Sequence, residues 1–324
     1  HCDLLLAVGA RFDDRVTGKL SEFCPEARVV HIDIDPTSIK KTFHAHIPIV
    51  GDVKTVLREI NVILRSMGGN PAEMKALKAP WMKQIAEWKK AHPLSYKQDD
   101  KIIKPQFVVE KLYELTKHEA IVATDVGQHQ MFAAQYFKGN KPRTWLTSGG
   151  LGTMGFGFPA AIGAQFAFPE KLVLCITSEG SFQMNLQELV VAAEHKLPIK
   201  IVLLNNGVHG MVRQWQDLFY EGRYSASVLG KMPDFVKLAD AYGILGLRAV
   251  KPGEVEATLK QGLKHKGPVL MDIHTDPFEN CYPMIPAGGA QHEMMLEDPP
   301  ELKLARKGGS HKRKVDEGEG VLPA

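Results

Sequence analysis

The stretch "LVLCITSEGSFQMNLQEL", Leu172 to Leu189, decides how this chain folds. It opens on a short, unbroken apolar run, Leu172-Val173-Leu174-Cys175-Ile176. Such a run, bounded by turn residues, is the pattern of a strand covered on both faces. The turn Ser178-Glu179-Gly180 follows, and then Leu186, Leu189, Val190 and Ala193 fall at helical spacing. A strand-to-helix turn of this kind can cradle a phosphate, hold a metal or simply redirect the backbone, and here an acid stands at its tip.

The same alternation recurs throughout. Strand-like runs lie at Asp3-Ala10, Arg28-Ile34, Ala120-Asp125, Leu172-Ser178, Ile199-Leu204 and Val269-His274. Between them Val56, Leu57, Ile60, Ile63 and Leu64, and again Val108, Val109, Leu112 and Leu115, follow the helical period. Short apolar strands separated by helices predict an α/β fold with parallel sheets flanked by helices.

A length of 324 residues suggests about two domains, with 44% hydrophobic and 24% charged residues, ordinary for a protein that buries a core. A net charge of +3 is small for this length and offers no global attraction to nucleic acid. No apolar run approaches the ~18 residues of a membrane span. Four scattered cysteines, Cys2, Cys24, Cys175 and Cys281, lack metal-binding spacing and suggest reduced thiols in a cytosol-like compartment. The sequence starts at His1 and runs directly into Leu4-Leu5-Leu6-Ala7-Val8, so we expect a fragment of a longer protein, with no targeting signal to assess.

The alternation breaks over "SMGGNPAEMKALKAP" and the charged "WMKQIAEWKKAHPLSYKQ". We therefore expect residues 1–65 to be the C-terminal part of one α/β domain, 66–102 a linker, 103–300 a second domain and 301–324 a disordered tail. The tail's "HKRK", His311-Lys314, is a basic cluster that could contact an acidic partner, but a solvated tail is the favoured reading.

Three stretches carry chemistry. In "SGGLGTMGFGFPAAIGA", Gly150, Gly152 and Gly155 fit the dinucleotide fingerprint G-x-G-x-x-G, but "KPRTWLTSGG" is a poor strand before it and no acid follows at the right distance. Its density of glycine points to close backbone approach by a ligand. In "TDVGQHQMFAAQYF", Val126-Gly127-Gln128-His129 joins a strand to a helix start, a place suited to an anion, or to an ordinary capping turn. Third, Asn206 in "IVLLNNGVHGM" follows Glu179 by 27 positions at the end of what would be an adjacent parallel strand. A carboxylate, an amide oxygen and the Val208 carbonyl form a hard-oxygen set suited to Mg²⁺, although a simple turn would also account for Asn205-Asn206-Gly207.

In this order the three stretches resemble the diphosphate-binding domain of thiamine diphosphate (ThDP) enzymes. "VGQHQMFAAQ", "SGGLGTMGFGFPAAIGAQ", "SFQMNLQEL", "LLNNGVHGMVRQWQDLFYEGRYS" and "YPMIPAGGA" are similar to acetolactate synthase (acetohydroxyacid synthase) large subunits. "VGARFDDRVTGKL" and "HIDIDPTSIKK" with "GDVK" resemble the end of that family's central FAD-binding domain, and the likeness covers roughly residues 3–296.

The resemblance implies that Val126, Gly127, Gln128, His129, Gly152, Met154, Gly180, Ser181 and Gly210 form the ThDP pocket. Met131 would be an apolar wedge that bends the cofactor. Glu179, Asn206 and the Val208 carbonyl would hold Mg²⁺. Arg15, Met211, Val212 and Trp215 would line the substrate channel. Gly9, Arg11, Asp14, Arg15, Val16, Asp33, Ile34, Asp52 and Val53 would belong to a structural FAD site, with Arg11 facing the diphosphate and Asp33 a ribose hydroxyl. The implied reaction is decarboxylative carboligation. Pyruvate loses CO₂, and its remaining carbons join a second pyruvate or 2-ketobutyrate, giving 2-acetolactate or 2-aceto-2-hydroxybutyrate. A homodimer or homotetramer, a regulatory small subunit and a cytoplasmic location (plastid or mitochondrion in a eukaryote) are implied as well.

This sequence departs from the family in two ways. The family's catalytic glutamate lies on an N-terminal domain outside these residues and the ThDP site forms between subunits, so the fragment alone is expected to be inactive. The turn also reads S-E-G where the family reads G-D-G. One more methylene moves the carboxylate outward by about 1.3 Å, and Mg²⁺ tolerates little change from its ~2.0–2.1 Å ligand distances. The expectation is that Glu179 still ligates after local adjustment. The rival readings are another ThDP enzyme, of the glyoxylate carboligase or pyruvate oxidase type, and a non-catalytic relative with a degenerate metal site.

Overall fold

The computed structural model describes residues 1–117, 119–139 and 141–307. They fall into two compact units, His1–Leu94 with Tyr282–Glu297, and Ser95–Cys281 with the residues from Asp298 onward. The basic cluster 311–314 lies outside the described residues, while Pro300–Lys307 forms a helix.

The first unit holds a three-stranded parallel sheet, β1 (Leu4–Val8), β2 (Arg28–Asp33) and β3 (Ile47–Val50), in that spatial order. Its core is small: Ala7, Phe12 and Val29, supported by Leu5, Ala10, Phe23 and Phe43. The helix Val53–Ser66 is capped by Asp52, whose side chain accepts from Thr55 N at 3.0 Å. Residues 66–102 carry a 21-residue helix, Pro71–Ala91. Pro71 suits a first turn, where its missing N–H costs nothing, and Asn70 caps it from outside.

The second unit is a six-stranded, all-parallel sheet of β4 (Ile121–Thr124), β5 (Trp145–Thr147), β6 (Val173–Thr177), β7 (Lys200–Asn205), β8 (Leu245–Ala249) and β9 (Val269–His274). Their order across the sheet is β5-β4-β6-β7-β9-β8. Alternate residues feed two cores. Leu174 and Ile176 of β6 join Val108, Leu112, Phe132 and Leu259 on one face, while Val173 and Cys175 join Phe158, Ala161, Leu189 and Phe235 on the other. Helices on both faces explain why the central strands show no polar alternation.

The α/β class is as expected. The strands not foreseen are β3, β5 and β8, and each is a sheet edge. Pro48 interrupts β3, β5 has three residues, and Gly246 lies inside β8. Edge strands are half-paired and tolerate such residues, so their apolar signal is weak. Contrary to the expectation from sequence, "KPRTWLTSGG" does contain a strand, because Val122 to Thr124 pair with Trp145 to Thr147.

Candidate functional site

From β4 the backbone moves to β5 on one side and then returns to β6 on the other. At such a switch point, the loops after the two strands diverge and leave a crevice at the carboxyl edge of the sheet. The turns after β4, β6 and β7 are the ones singled out from sequence, 126–129, 178–181 and 206–210.

Asp125, at the end of β4, ties two of these turns and the glycine-rich loop together. It is fully buried, and its Oδ1 accepts from Val126 N (2.9 Å), Gly155 N (2.8 Å) and Ser181 Oγ (2.5 Å), while Thr177 Oγ1 lies 3.4 Å from Oδ2. Asp125 is not among the site residues expected from sequence. The available signal was an acid at a strand end, directly before Val126-Gly127.

A cavity of about 270 Å³ opens at this edge. Val126, Gly127, Gln128, His129, Met154 and Gly210 line it, as do Asn206, Val208, Met211 and Val212. The remaining candidates stand back from its wall. Gly152 is exposed on its loop, Ser181 is committed to Asp125, and Gly180 packs against His209. Trp215 is half-buried and stacks on Phe219 at 5.0 Å. Met131 packs against the core that contains Phe132 and Ile176 and does not line the cavity, whereas Met154 does. Ser178 and His209, within turns singled out from sequence but not named as ligand contacts, also contribute, as does Asp276, which was not foreseen.

The Glu179 carboxylate bridges two turns. Glu179 is 0% exposed and opens the short helix Glu179–Phe182. Its Oε1 accepts from Gly207 N at 2.6 Å, and its buried Oε2 has no hydrogen-bond partner among the described residues. Burial pushes the carboxyl up to about 7, against the lowering effect of the backbone N–H groups around it. On the neighbouring turn Asn206 Oδ1 accepts from Val208 N at 3.1 Å. Among the described residues no three His, Cys, Asp or Glu side chains gather to hold a metal, so a cation here would rest on one carboxylate plus amide and backbone oxygens.

His129 sits at the start of the helix Gln128–Tyr136, with its Nε2 buried and without a partner among the described residues. Burial pushes its imidazole down to about 4, so the ring is neutral at pH 7. Gly127 has φ +150°, and a Cβ there would press on the His129 ring at 2.9 Å, so the turn requires glycine.

In the first unit, Gly9 follows β1, Asp33 ends β2 with Ile34 after it, and Asp52-Val53 come after β3, all at the carboxyl edge of that sheet. Gly9 N donates to Ile32 O at 2.8 Å, and Gly51 N to Asp33 O at 2.9 Å. Arg11 is exposed and pairs with Asp13 at 2.6 Å. Asp14, Arg15 and Val16 are exposed in the short helix Asp14–Thr17, which Asp13 caps.

Comparison with known proteins agrees with this geometry. The profile of the thiamine pyrophosphate enzyme C-terminal TPP binding domain matches residues 125–273, and that of the thiamine pyrophosphate enzyme central domain matches residues 1–60. The acetolactate synthase large subunit of Haemophilus influenzae is 48% identical over 301 residues, 92% of this chain and 52% of that protein. The isozyme 3 large subunit of Escherichia coli is 48% identical over 301 residues, covering 91% and 52%. The large subunit of Cyanidium caldarium is 47% identical over 296 residues, covering 91% and 50%. The chain spans about half the length of the curated relatives it matches. It belongs to the thiamine pyrophosphate enzyme family, among the acetolactate synthase large subunits.

Proposed function

We propose that this protein supplies the ThDP-binding half of an acetolactate synthase catalytic subunit, which joins pyruvate to a second pyruvate or to 2-ketobutyrate with loss of CO₂. The observation that carries this reading is the meeting of Val126–His129, Met154 and Asn206–Gly210 around one cavity at the sheet's switch point.

The residues fit the cofactor and its metal. The buried, unpaired Glu179 Oε2 and the raised carboxyl describe an acid that a cation would relieve. Glu179, Asn206 and the Val208 carbonyl would hold Mg²⁺. The turn at the start of Gln128–Tyr136 would meet the diphosphate with backbone N–H groups. When bound, ThDP supplies the electron sink for decarboxylation and carbon–carbon bond formation. The protein's part is to bind, orient and exclude water. Met154, Met211 and Val212 provide an apolar wall, and in this reading the wedge assigned to Met131 passes to Met154, which reaches that wall. Gly9, Arg11, Asp33 and Asp52 would contribute to a structural FAD site in the first unit. A homodimer or homotetramer, a regulatory small subunit and a cytoplasmic location complete the proposal. Among the described residues no helix is long and apolar enough to cross a membrane.

Titration of the whole protein with ThDP and Mg²⁺, followed by product analysis from pyruvate, tests it. Saturable binding and 2-acetolactate are expected; binding with a different product would favour another ThDP enzyme, and binding without CO₂ release a non-catalytic relative. Replacing Ser178→Gly together with Glu179→Asp should tighten ThDP–Mg²⁺ binding, and unchanged affinity would remove the metal role assigned to this turn.

A further inference from the structure

Behind the cavity wall, three amide groups form a relay. Gln214, fully buried on the helix Gly210–Phe219, grips the backbone of Cys281: its Nε2 donates to Cys281 O (3.1 Å) and its Oε1 accepts from Cys281 N (2.8 Å). A backbone N–H can only donate and a backbone carbonyl oxygen can only accept, so the two ends of the Gln214 amide are assigned without ambiguity. The same Oε1 also accepts from Gln128 Nε2 at 2.7 Å.

Gln128 is thereby fixed in turn. Its Nε2 donates to Gln214 Oε1 and to Glu279 O (3.0 Å), and Glu279 O also accepts from Arg213 Nη2 at 3.2 Å. Both partners are acceptors, so a flipped amide would set oxygen against oxygen. Both of its N–H bonds are spent inside the protein. Its Oε1 is buried, has no hydrogen-bond partner among the described residues, and lies so close to Gly210 that a methyl group there would overlap it. Gln128 is 4% exposed and shares the cavity wall with Gly210.

We propose that Gln214 is a positioning residue that acts through Gln128. It reads the Cys281 backbone and holds the Gln128 amide, and so sets the 127–129 turn against the 206–210 turn. Gln128 then serves the bound ligand as a strut between two turns, and its side chain donates no hydrogen bond to a phosphate oxygen. The assignment rests on the ThDP reading above only for the identity of the ligand; the relay itself is a property of the protein alone.

Two measurements test it. The first uses the ligand-free protein and follows hydrogen exchange of the Gln128 side-chain amide by NMR, with the signal assigned by its loss in Gln128→Met. Slow exchange is expected, turning fast in Gln214→Met, a variant of similar volume. Free-glutamine exchange in the unsubstituted protein would overturn the relay whether or not ThDP binds. The second is a double-mutant cycle on ThDP–Mg²⁺ affinity in the whole protein, with the melting temperature of each variant recorded. Gln128→Met and Gln214→Met should each weaken binding by at least about fivefold, and the double variant should be no weaker than Gln128→Met alone. An equal further loss from Gln214→Met in the Gln128→Met background would show that Gln214 does not act through Gln128. Absence of ThDP binding in the unsubstituted whole protein would defeat the functional reading and leave the exchange result to judge the relay.

Discussion

β1 and β6 are both five-residue parallel strands of apolar character, Leu-Leu-Leu-Ala-Val and Val-Leu-Cys-Ile-Thr. In β6 every residue is buried; in β1 only Ala7 is, and Leu4 and Leu6 are 58% and 47% exposed. The difference does not lie in the strands. β6 is flanked by β4 and β7 and covered by a helical layer on each face, whereas β1 is the edge of a three-stranded sheet with a small core. Burial is conferred by neighbours, and a fully covered Leu or Ile is worth about 1.5–3 kcal/mol more than an exposed one.

The largest expected effect follows from that contrast. Ile176→Ala removes a fully buried side chain between packed layers and should cost about 2–5 kcal/mol, measured by denaturant unfolding. Leu6→Ala in β1 should cost under about 1 kcal/mol in the same assay. Similar losses at the two sites would break the contrast.

A second pair sets two strand-end acids against each other. Glu179 after β6 is buried with a raised pKa, and Asp52 after β3 is an exposed helix cap. A carboxyl raised from 4.5 to about 7 in the folded state keeps its stabilising share below pH 4.5 and loses it as pH rises towards 7. His129, lowered from 6.5 to about 4, works in the opposite sense, contributing above pH 6.5 and losing that contribution as pH falls towards 4. The two slopes oppose each other across nearly the same range. In the ligand-free protein Glu179→Gln should therefore gain up to about 3 kcal/mol above pH 7 and leave His129's slope unmasked, so that stability climbs between pH 4 and 6.5. A flat melting profile for Glu179→Gln would contradict this. Asp52→Ala should cost only about 1 kcal/mol, the usual value of a lost cap, with no pH signature near neutrality.

Much of the second unit's sheet was legible because its central strands are covered on both faces and read as unbroken apolar runs. The edges were harder to see: Pro48, Gly246 and the three-residue β5 leave almost no pattern. At the site, the turns 126–129, 178–180 and 206–210 stood out by residue type and position after strands. Nothing in the residue pattern separates Met154, which lines the cavity, from Met131, which packs into the core, because which methionine faces a cavity depends on helix rotation and loop path. Asp125 showed only as an acid at a strand end, and the role of Gln214 did not show at all, for a related reason. Asp125 matters through Gly155 and Ser181, and Gln214 through Gln128 and Cys281, partners that local spacing cannot reveal.

The amino-acid order alone determined the α/β class and the parallel sheets, and its ordered motifs carried the resemblance to the family, since strand and helix periods and the residues of the strand-end turns are local properties of the sequence. Only the tertiary structure decided which side groups converge. The reversal of strand order at β4 and β6 brings turns together that lie tens of residues apart, and burial then sets their chemistry: it raises the Glu179 carboxyl, keeps His129 neutral and turns Gln128 and Gln214 into a fixed relay. Proximity and desolvation depend on the folded molecule as a whole, so no stretch of sequence read by itself contains them.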